Sequence, residues 1–169
     1  MPIVDISALP DHGRLWVFPS TRRLSDAEAQ SLERDVDEFL KGWAAHGAPL
    51  EAGRELIERQ FLIVGVDVDA ARPSGCSIDA LVGALRELGK RFELSLIDHN
   101  RVWYREGSAI RSVSRAEFRD LVEGGAVSPE TRVFDTSLTS LDQLRAGGLE
   151  RQASQTWHGR AFFRERAAG

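Results

Sequence analysis

A chain of 169 residues is long enough for one well-buried core, and its 42% hydrophobic and 28% charged residues are ordinary for a globular protein. A net charge of −4 disfavours general nucleic-acid binding, because an acidic chain gains little from releasing the counterions of phosphates. The single cysteine excludes an internal disulfide and no apolar run approaches the roughly 18 residues of a membrane span, so we expect a cytoplasmic protein whose partners include neither nucleic acid nor membrane.

The first predicted elements are a strand and a long amphipathic helix. Residues 14–18 are mostly apolar and are followed by a proline, which predicts a strand. Ser25 and Glu28 have the spacing of a capping box, which opens a helix. Apolar residues then recur at helical spacing as far as Trp43, and the outer face is acidic. The pattern predicts a helix that ends near Gly47.

Two strands and a second amphipathic helix follow. Residues 54–58 and 61–67 predict two strands joined as a hairpin, although their short connection lacks a glycine. The second of these runs is almost wholly apolar, which indicates a central strand covered on both faces. Apolar residues from Ile78 to Phe92 then recur at helical spacing and predict the second helix.

The last third of the chain predicts shorter elements and a tail. These elements are a hairpin of residues 101–104 and 109–113, a helix opened by a Ser114 capping box and stopped at Gly124, a strand at 131–134 and a short helix at 140–146. The tail is basic, with arginines at 145, 151, 160, 164 and 166. Because Trp157 stands among polar residues, we expect it to anchor the tail onto the domain.

The order strand, helix, strand, strand, helix, strand determines the predicted fold. It is the order of a ferredoxin-like βαββαβ sandwich, so we expect an α+β protein with an added β-hairpin, helix and C-terminal tail. We predict a single domain over residues 1–169. Its core spans about 14–105, the appended hairpin and helix span 106–135, and the tail spans 136–169.

The candidate functional site is the segment Ser74-Gly75-Cys76-Ser77-Ile78-Asp79, directly before the second apolar periodic run. It places a thiol, two hydroxyls and a flexible glycine at the start of a helix. A helix N-terminus has unpaired N–H groups and the positive end of a dipole, so it attracts anions and favours thiolates. Ser74, Gly75 and Ser77 are therefore predicted to bind a ligand, and Ser77 is also the expected N-cap.

Cys76 is the candidate nucleophile and His46 the candidate catalytic base. Each also has a structural explanation, since free cysteines are often buried and a histidine near a helix C-terminus favours the dipole. His158 and Arg160 are predicted ligand-binding residues that would close over the site as a lid. The alternative is a tail that docks through its aromatic residues. Whether the chain is an enzyme stays open.

No cofactor and no metal site are predicted. A zinc site is conceivable from residues of ligand type at Cys76, His46, His158 and Asp79. None of them has a ligand spacing such as Cys-x-x-Cys or His-x-x-x-His. His12 and His99 fall in predicted turns and receive no role.

Four stretches of the chain carry a family resemblance. They are Trp43-Ala44-Ala45-His46-Gly47-Ala48-Pro49-Leu50, Phe61-Leu62-Ile63-Val64, Ser74-Gly75-Cys76-Ser77-Ile78-Asp79 and Trp157-His158-Gly159-Arg160. Together they resemble a family of short bacterial proteins that has no established function. Some members carry the label "ABC transporter ATPase", but this chain lacks the Gly-x-x-x-x-Gly-Lys-[Ser/Thr] string that holds phosphates and magnesium. The resemblance names a family and supplies no reaction.

Two functions of different classes follow from these patterns. The first is the binding of a small anionic ligand at the helix N-terminus of residues 74–79, with transformation of that ligand left open. The alternative is a non-catalytic structural or interaction protein that forms a homodimer through its sheet. In that case the acidic first helix and the basic tail would pair between subunits.

Overall fold

Local capping signals open the first and third helices in the computed structural model, which describes residues 3–163. The Ser25 hydroxyl accepts the N–H of Glu28 at 3.1 Å, and the Ser25 N–H donates to the Glu28 carboxylate at 2.9 Å. The predicted capping box therefore opens the first helix. Ser114 and Glu117 make the same reciprocal pair at the start of the third.

The described residues form four α-helices and nine short strands. The helices are α1 (Asp26–Lys41), α2 (Gly75–Arg91), α3 (Arg115–Glu123) and α4 (Leu141–Gly147). The strands are β1 (Arg14–Pro19), β2 (Ala44–Ala45), β3 (Ala48–Pro49), β4 (Ala52–Ile57), β5 (Phe61–Val66), β6 (Arg101–Glu106), β7 (Ala109–Ser114), β8 (Arg132–Phe134) and β9 (Glu150–Gln152). Short 3₁₀ turns lie at Ile6–Ala8 and Ala153–Gln155, and a π-helical turn lies at Gly159–Phe163.

The chain divides into two compact units. The first comprises the chain up to Asp98 together with Leu138–Ala146, and the second comprises His99–Ser137 and the chain from Gly147 onward. Compactness alone does not make a unit an independently folding domain. The single domain of residues 1–169, with its core at about 14–105, therefore stays a prediction.

The first unit is built on a three-stranded antiparallel sheet in the order β1-β5-β4. Every residue of β5 is buried, which confirms the predicted central strand. β1 and β4 both run antiparallel to β5, with α1 connecting them, and this is the strand order of a split βαβ unit. Apolar residues of the sheet, α1 and α2 form one buried cluster that includes Phe18, Leu32, Leu62 and Leu81.

The α+β class is as predicted, but the predicted fourth strand lies elsewhere. Residues 101–104 do form a strand, β6, which pairs with β7 and β8 in the second unit rather than with β1. On the outer side of β1, the Leu15 N–H instead donates to the Thr139 carbonyl at 3.0 Å, and Arg14 forms an isolated bridge with Ser140. Which strand takes that edge depends on contacts between distant residues, and a local pattern does not encode them.

The first helix is shorter than predicted. It ends at Lys41, with Gly42 as its C-cap, rather than near Gly47. Glycine has a low helix propensity, so the apolar period up to Trp43 does not carry the helix beyond it. His46 and Gly47, at φ +51° and +79°, instead form the two-residue turn between β2 and β3. Two central residues with positive φ are typical of a type I′ hairpin turn.

The hairpin of β4 and β5 is confirmed, although its turn lacks glycine. Glu58 and Arg59 adopt φ +57° and +51°, which residues other than glycine rarely do. Backbone hydrogen bonds hold this turn, because the Leu24 N–H donates to the Arg59 carbonyl at 2.8 Å and the Ser20 N–H donates to the Gln60 carbonyl at 2.7 Å.

The second unit contains a four-stranded sheet in the order β7-β6-β8-β9. Its apolar cluster joins the sheet to α3 and to the end of the described tail, with members such as Tyr104, Phe118 and Phe163. The Phe118 and Phe162 rings lie 4.9 Å apart, and the Arg115 guanidinium lies 5.0 Å from the Trp157 ring. These contacts agree with a tail that docks through its aromatic residues.

Two further predictions concern the tail and the membrane. The tail arginines 164 and 166 lie outside the described residues. Within residues 3–163, no helix combines the length and apolar character needed to cross a membrane.

Candidate functional site

The N-terminus of α2 is closed by a reciprocal pair of serines. Ser74 is the N-cap, and its hydroxyl accepts the Ser77 N–H at 3.1 Å. The Ser77 hydroxyl accepts the Ser74 N–H at 2.7 Å and donates to the Ser74 carbonyl at 2.8 Å. The predicted N-cap, Ser77, is therefore wrong by three residues. Both hydroxyls are committed to the cap, and Ser77 is buried.

Two backbone N–H groups of the first turn remain available. The Ser77 N–H donates to the Ser74 hydroxyl, and the Ile78 N–H donates to the Ser74 carbonyl at 3.0 Å. The N–H groups of Gly75 and Cys76 have no acceptor among the described residues, and both residues are exposed. A Cβ added at Gly75 would meet nothing within 4 Å, so the space in front of these groups is open.

Cys76 is exposed, which removes its explanation as a buried packing residue. Neither its thiol nor the His46 ring hydrogen-bonds to a residue in the described part of the chain. The catalytic roles of Cys76 and His46 therefore stay predictions, because the structure supplies no nucleophile–base contact for them.

The indole of Trp43 connects the segment that carries His46 to the start of α2. Its Nε1–H donates to the Ser77 carbonyl at 2.8 Å, and the bond is buried. The Trp43 ring also packs edge-on against Trp16, with ring centres 5.7 Å apart. Two stretches that are distant in sequence, Trp-x-x-His-Gly and Ser-Gly-Cys-Ser, are thus joined by one hydrogen bond. His46 lies three residues after Trp43, within the exposed β2–β3 turn.

His158 and Arg160 belong to the second unit, whereas Cys76 belongs to the first. The His158 side chain is buried, and its Nδ1 lies 2.7 Å from the Thr156 hydroxyl. Burial lowers the pKa of His158 to about 4, so the ring is neutral at physiological pH. A buried neutral ring offers no charge to an anion. Arg160 is exposed, and its ligand-binding role stays a prediction.

The acidic face of α1 is largely paired within the chain. The Arg54 guanidinium donates to Glu33 at 2.6 Å and to Asp37 at 2.8 Å, and Arg91 pairs with Asp35. Because these carboxylates already pair with arginines of the same chain, few of them are left for the pairing with the basic tail of another subunit that the homodimer hypothesis expects. Arg54 also lines an open groove of about 620 Å³ beside β4, so the only cation among the described residues of that groove is already committed.

One cluster escaped the sequence analysis. His12, Asp67 and Asp69 each place one potential ligand atom within 4.8 Å of the others. The sequence signal is two aspartates separated by one residue, directly after the buried strand β5. His12 joins them only through the pairing of β1 with β5, which is non-local.

Comparison with known proteins finds no matching family model, no matching curated protein and no matching solved structure.

Proposed function

We propose that this chain binds a small anionic ligand at the N-terminus of α2. The observation that carries the proposal is the pair of exposed first-turn N–H groups, those of Gly75 and Cys76, which the serine cap leaves unused. Such groups hydrogen-bond anions at many helix N-termini, and the dipole of a 17-residue helix adds to the attraction. A phosphate, sulfate or carboxylate group is the class of ligand that fits.

The expected affinity is modest. A hydrogen bond to a charged acceptor contributes about 2 kcal/mol, so two contribute about 4 kcal/mol. That sum corresponds to a dissociation constant of about 1 mM. Asp79 is exposed one helical turn away and carries a like charge, so it opposes anion binding. Cys76 would lie beside the bound anion, and transformation of the ligand by its thiol is a further step of the same proposal.

Replacing Gly75 tests the proposal without removing a side chain. Proline is tolerated at the first helical position, and Ser74 has the extended backbone, at φ −101° and ψ 168°, that a following proline requires. Gly75→Pro therefore deletes one of the two N–H groups and keeps the helix. Gly75→Ala is the matched control, because it retains the N–H and its Cβ meets open space.

Calorimetric titration with inorganic phosphate measures the effect. We expect Gly75→Pro to weaken binding at least tenfold, the loss of one charged hydrogen bond, and Gly75→Ala to leave it unchanged. Asp79→Asn should strengthen binding. Equal affinities of the proline and alanine variants would contradict the proposal, as would no binding to the unmodified chain.

A second function, homodimerisation through the sheet, is favoured by the position of β4. This strand lies at one edge of the sheet, and the Val4 N–H donates to the carbonyl of its first residue, Ala52, at 3.0 Å. We propose this non-catalytic interaction role as the alternative. Sedimentation equilibrium over a range of concentrations separates the two, because a monomer at every concentration would exclude it.

Three broader assignments belong to the same proposal. The strand order β1-β5-β4 supports a ferredoxin-like relationship for the first unit. An exposed lone thiol supports a reducing compartment, the cytoplasm. Membership of the bacterial family with the Trp-x-x-His-Gly and Ser-Gly-Cys-Ser stretches rests on the sequence resemblance alone.

A further inference from the structure

An imidazole and two carboxylates meet at one end of the β1–β5 pair. Arg14 faces Val66 in this pair, so the residues just before β1 lie beside those just after β5. Gly13 permits the close approach, because a Cβ there would lie 2.9 Å from the Val66 carbonyl oxygen. His12 and Asp69, 57 positions apart in the chain, are thereby brought into contact.

The potential ligand atoms of the three side chains lie close together. His12 Nε2 lies 2.5 Å from Asp69 Oδ2, and the Asp69 N–H donates to Asp67 Oδ1 at 2.9 Å. One ligand atom of each residue lies within 4.8 Å of the other two. The side chains of His12 and Asp69 are 59% and 70% exposed, so an ion reaches them directly from solvent.

The charge of the cluster is unbalanced. Two carboxylates face at most one imidazolium, and no described cation other than His12 forms an ion pair with Asp67 or Asp69. A divalent cation bound to a neutral imidazole and two carboxylates would bring the total charge to zero.

We propose that His12, Asp67 and Asp69 bind a divalent transition-metal cation such as Zn²⁺, Co²⁺ or Mn²⁺. Mixed imidazole and carboxylate donors suit these ions, whereas Mg²⁺ and Ca²⁺ prefer oxygen donors alone. Three protein ligands leave at least one coordination position for water. This site is independent of the proposed anion site.

Titration of the full chain with Co²⁺ tests the assignment. We expect one equivalent to bind, and the paramagnetic ion should broaden the backbone amide resonances of Asp67 and Asp69. Asp67→Asn and Asp69→Asn should each weaken binding at least tenfold, and so should His12→Gln. The aspartate variants are nearly isosteric, so they keep the test valid if His12→Gln disturbs its turn. His99→Gln and Glu55→Gln are matched controls that should bind as the unmodified chain does.

Competition and stability give two further readouts. Zn²⁺ should displace Co²⁺, whereas Mg²⁺ at the same concentration should not. Zn²⁺ at 100 times its dissociation constant should raise the folded-to-unfolded ratio about 100-fold. The proposal is overturned if the chain does not bind Co²⁺ stoichiometrically, or if a variant with all three ligands replaced binds it as well. Binding that is lost in Cys76→Ser and retained in the Asp67 and Asp69 variants would also overturn it.

Discussion

Acidification should destabilise the second unit through His158. The residue is 1% exposed, and its pKa is lowered from 6.5 to about 4. Burial is the main cause of this shift; Asp135 opposes it and Arg115 adds to it. The unfolded chain, with a pKa of about 6.5, therefore binds a proton at a pH where the folded chain does not. The stabilising contribution of neutral His158 is complete above about pH 6.5 and is lost as the pH falls toward about 4.

The size of this loss follows from the two pKa values. Their difference corresponds to about 3 kcal/mol of unfolding free energy. That is a large part of the 5–15 kcal/mol or so by which domains are usually stable. The second unit should therefore be the part of the chain most sensitive to pH between about 6.5 and about 4.

Urea unfolding of the full chain, followed by tryptophan fluorescence, measures the loss. Trp157 is a suitable reporter, since its ring stacks on His158 at 3.9 Å between centres. From about pH 7 to about pH 4, the unmodified chain should lose about 3 kcal/mol more than His158→Gln, which cannot be protonated there. Carboxylates that titrate in both chains cancel in this difference. Equal pH slopes for the unmodified chain and His158→Gln would refute the reasoning.

Three further predictions concern a cap, the tail and the thiol. Ser25→Ala should lower the free energy of unfolding by about 1 kcal/mol because it leaves the Glu28 N–H without its acceptor, whereas Ser31→Ala within the same helix should not; equal denaturant midpoints would contradict this. Trp157→Ala should cost about 2 kcal/mol because a half-buried aromatic side chain is removed from the tail, and an unchanged unfolding midpoint would show that the tail is not anchored there. Native Cys76 should react completely with iodoacetamide before unfolding, and protection until the chain unfolds would contradict its exposure.

Elements whose signals lie within a few neighbouring residues could be predicted from the sequence. The capping boxes at Ser25 and Ser114 involve residues three positions apart, so the sequence contains the whole interaction. The burial of β5 follows from its apolar run. At residues 74–77 the pattern was ambiguous, since both serines can cap a helix. The structure selects Ser74, with Ser77 as its reciprocal partner.

Features that depend on distant contacts could not be predicted. The end of α1 is a local exception, because Gly42 stops the helix before the turn at His46 although the apolar period continues to Trp43. β6 has the pattern of a strand, but its partners β7 and β8 are chosen by tertiary packing. His12 likewise meets Asp67 and Asp69 only when β1 pairs with β5. The helix terminus at residues 74–79 could therefore be singled out from the sequence, whereas the separate cluster of His12, Asp67 and Asp69 was missed because distant residues assemble it.

The most direct test of anion binding is an NMR titration of the isotopically labelled full chain with inorganic phosphate at constant ionic strength. If the first turn of α2 holds the anion, the amide resonances of Gly75 and Cys76 should move together along one saturable curve. The amide of Gly83, within the same helix and already hydrogen-bonded by helical pairing, should not move with them. Shifts that are absent at Gly75 and Cys76, or that grow linearly without saturation, would contradict the proposed function.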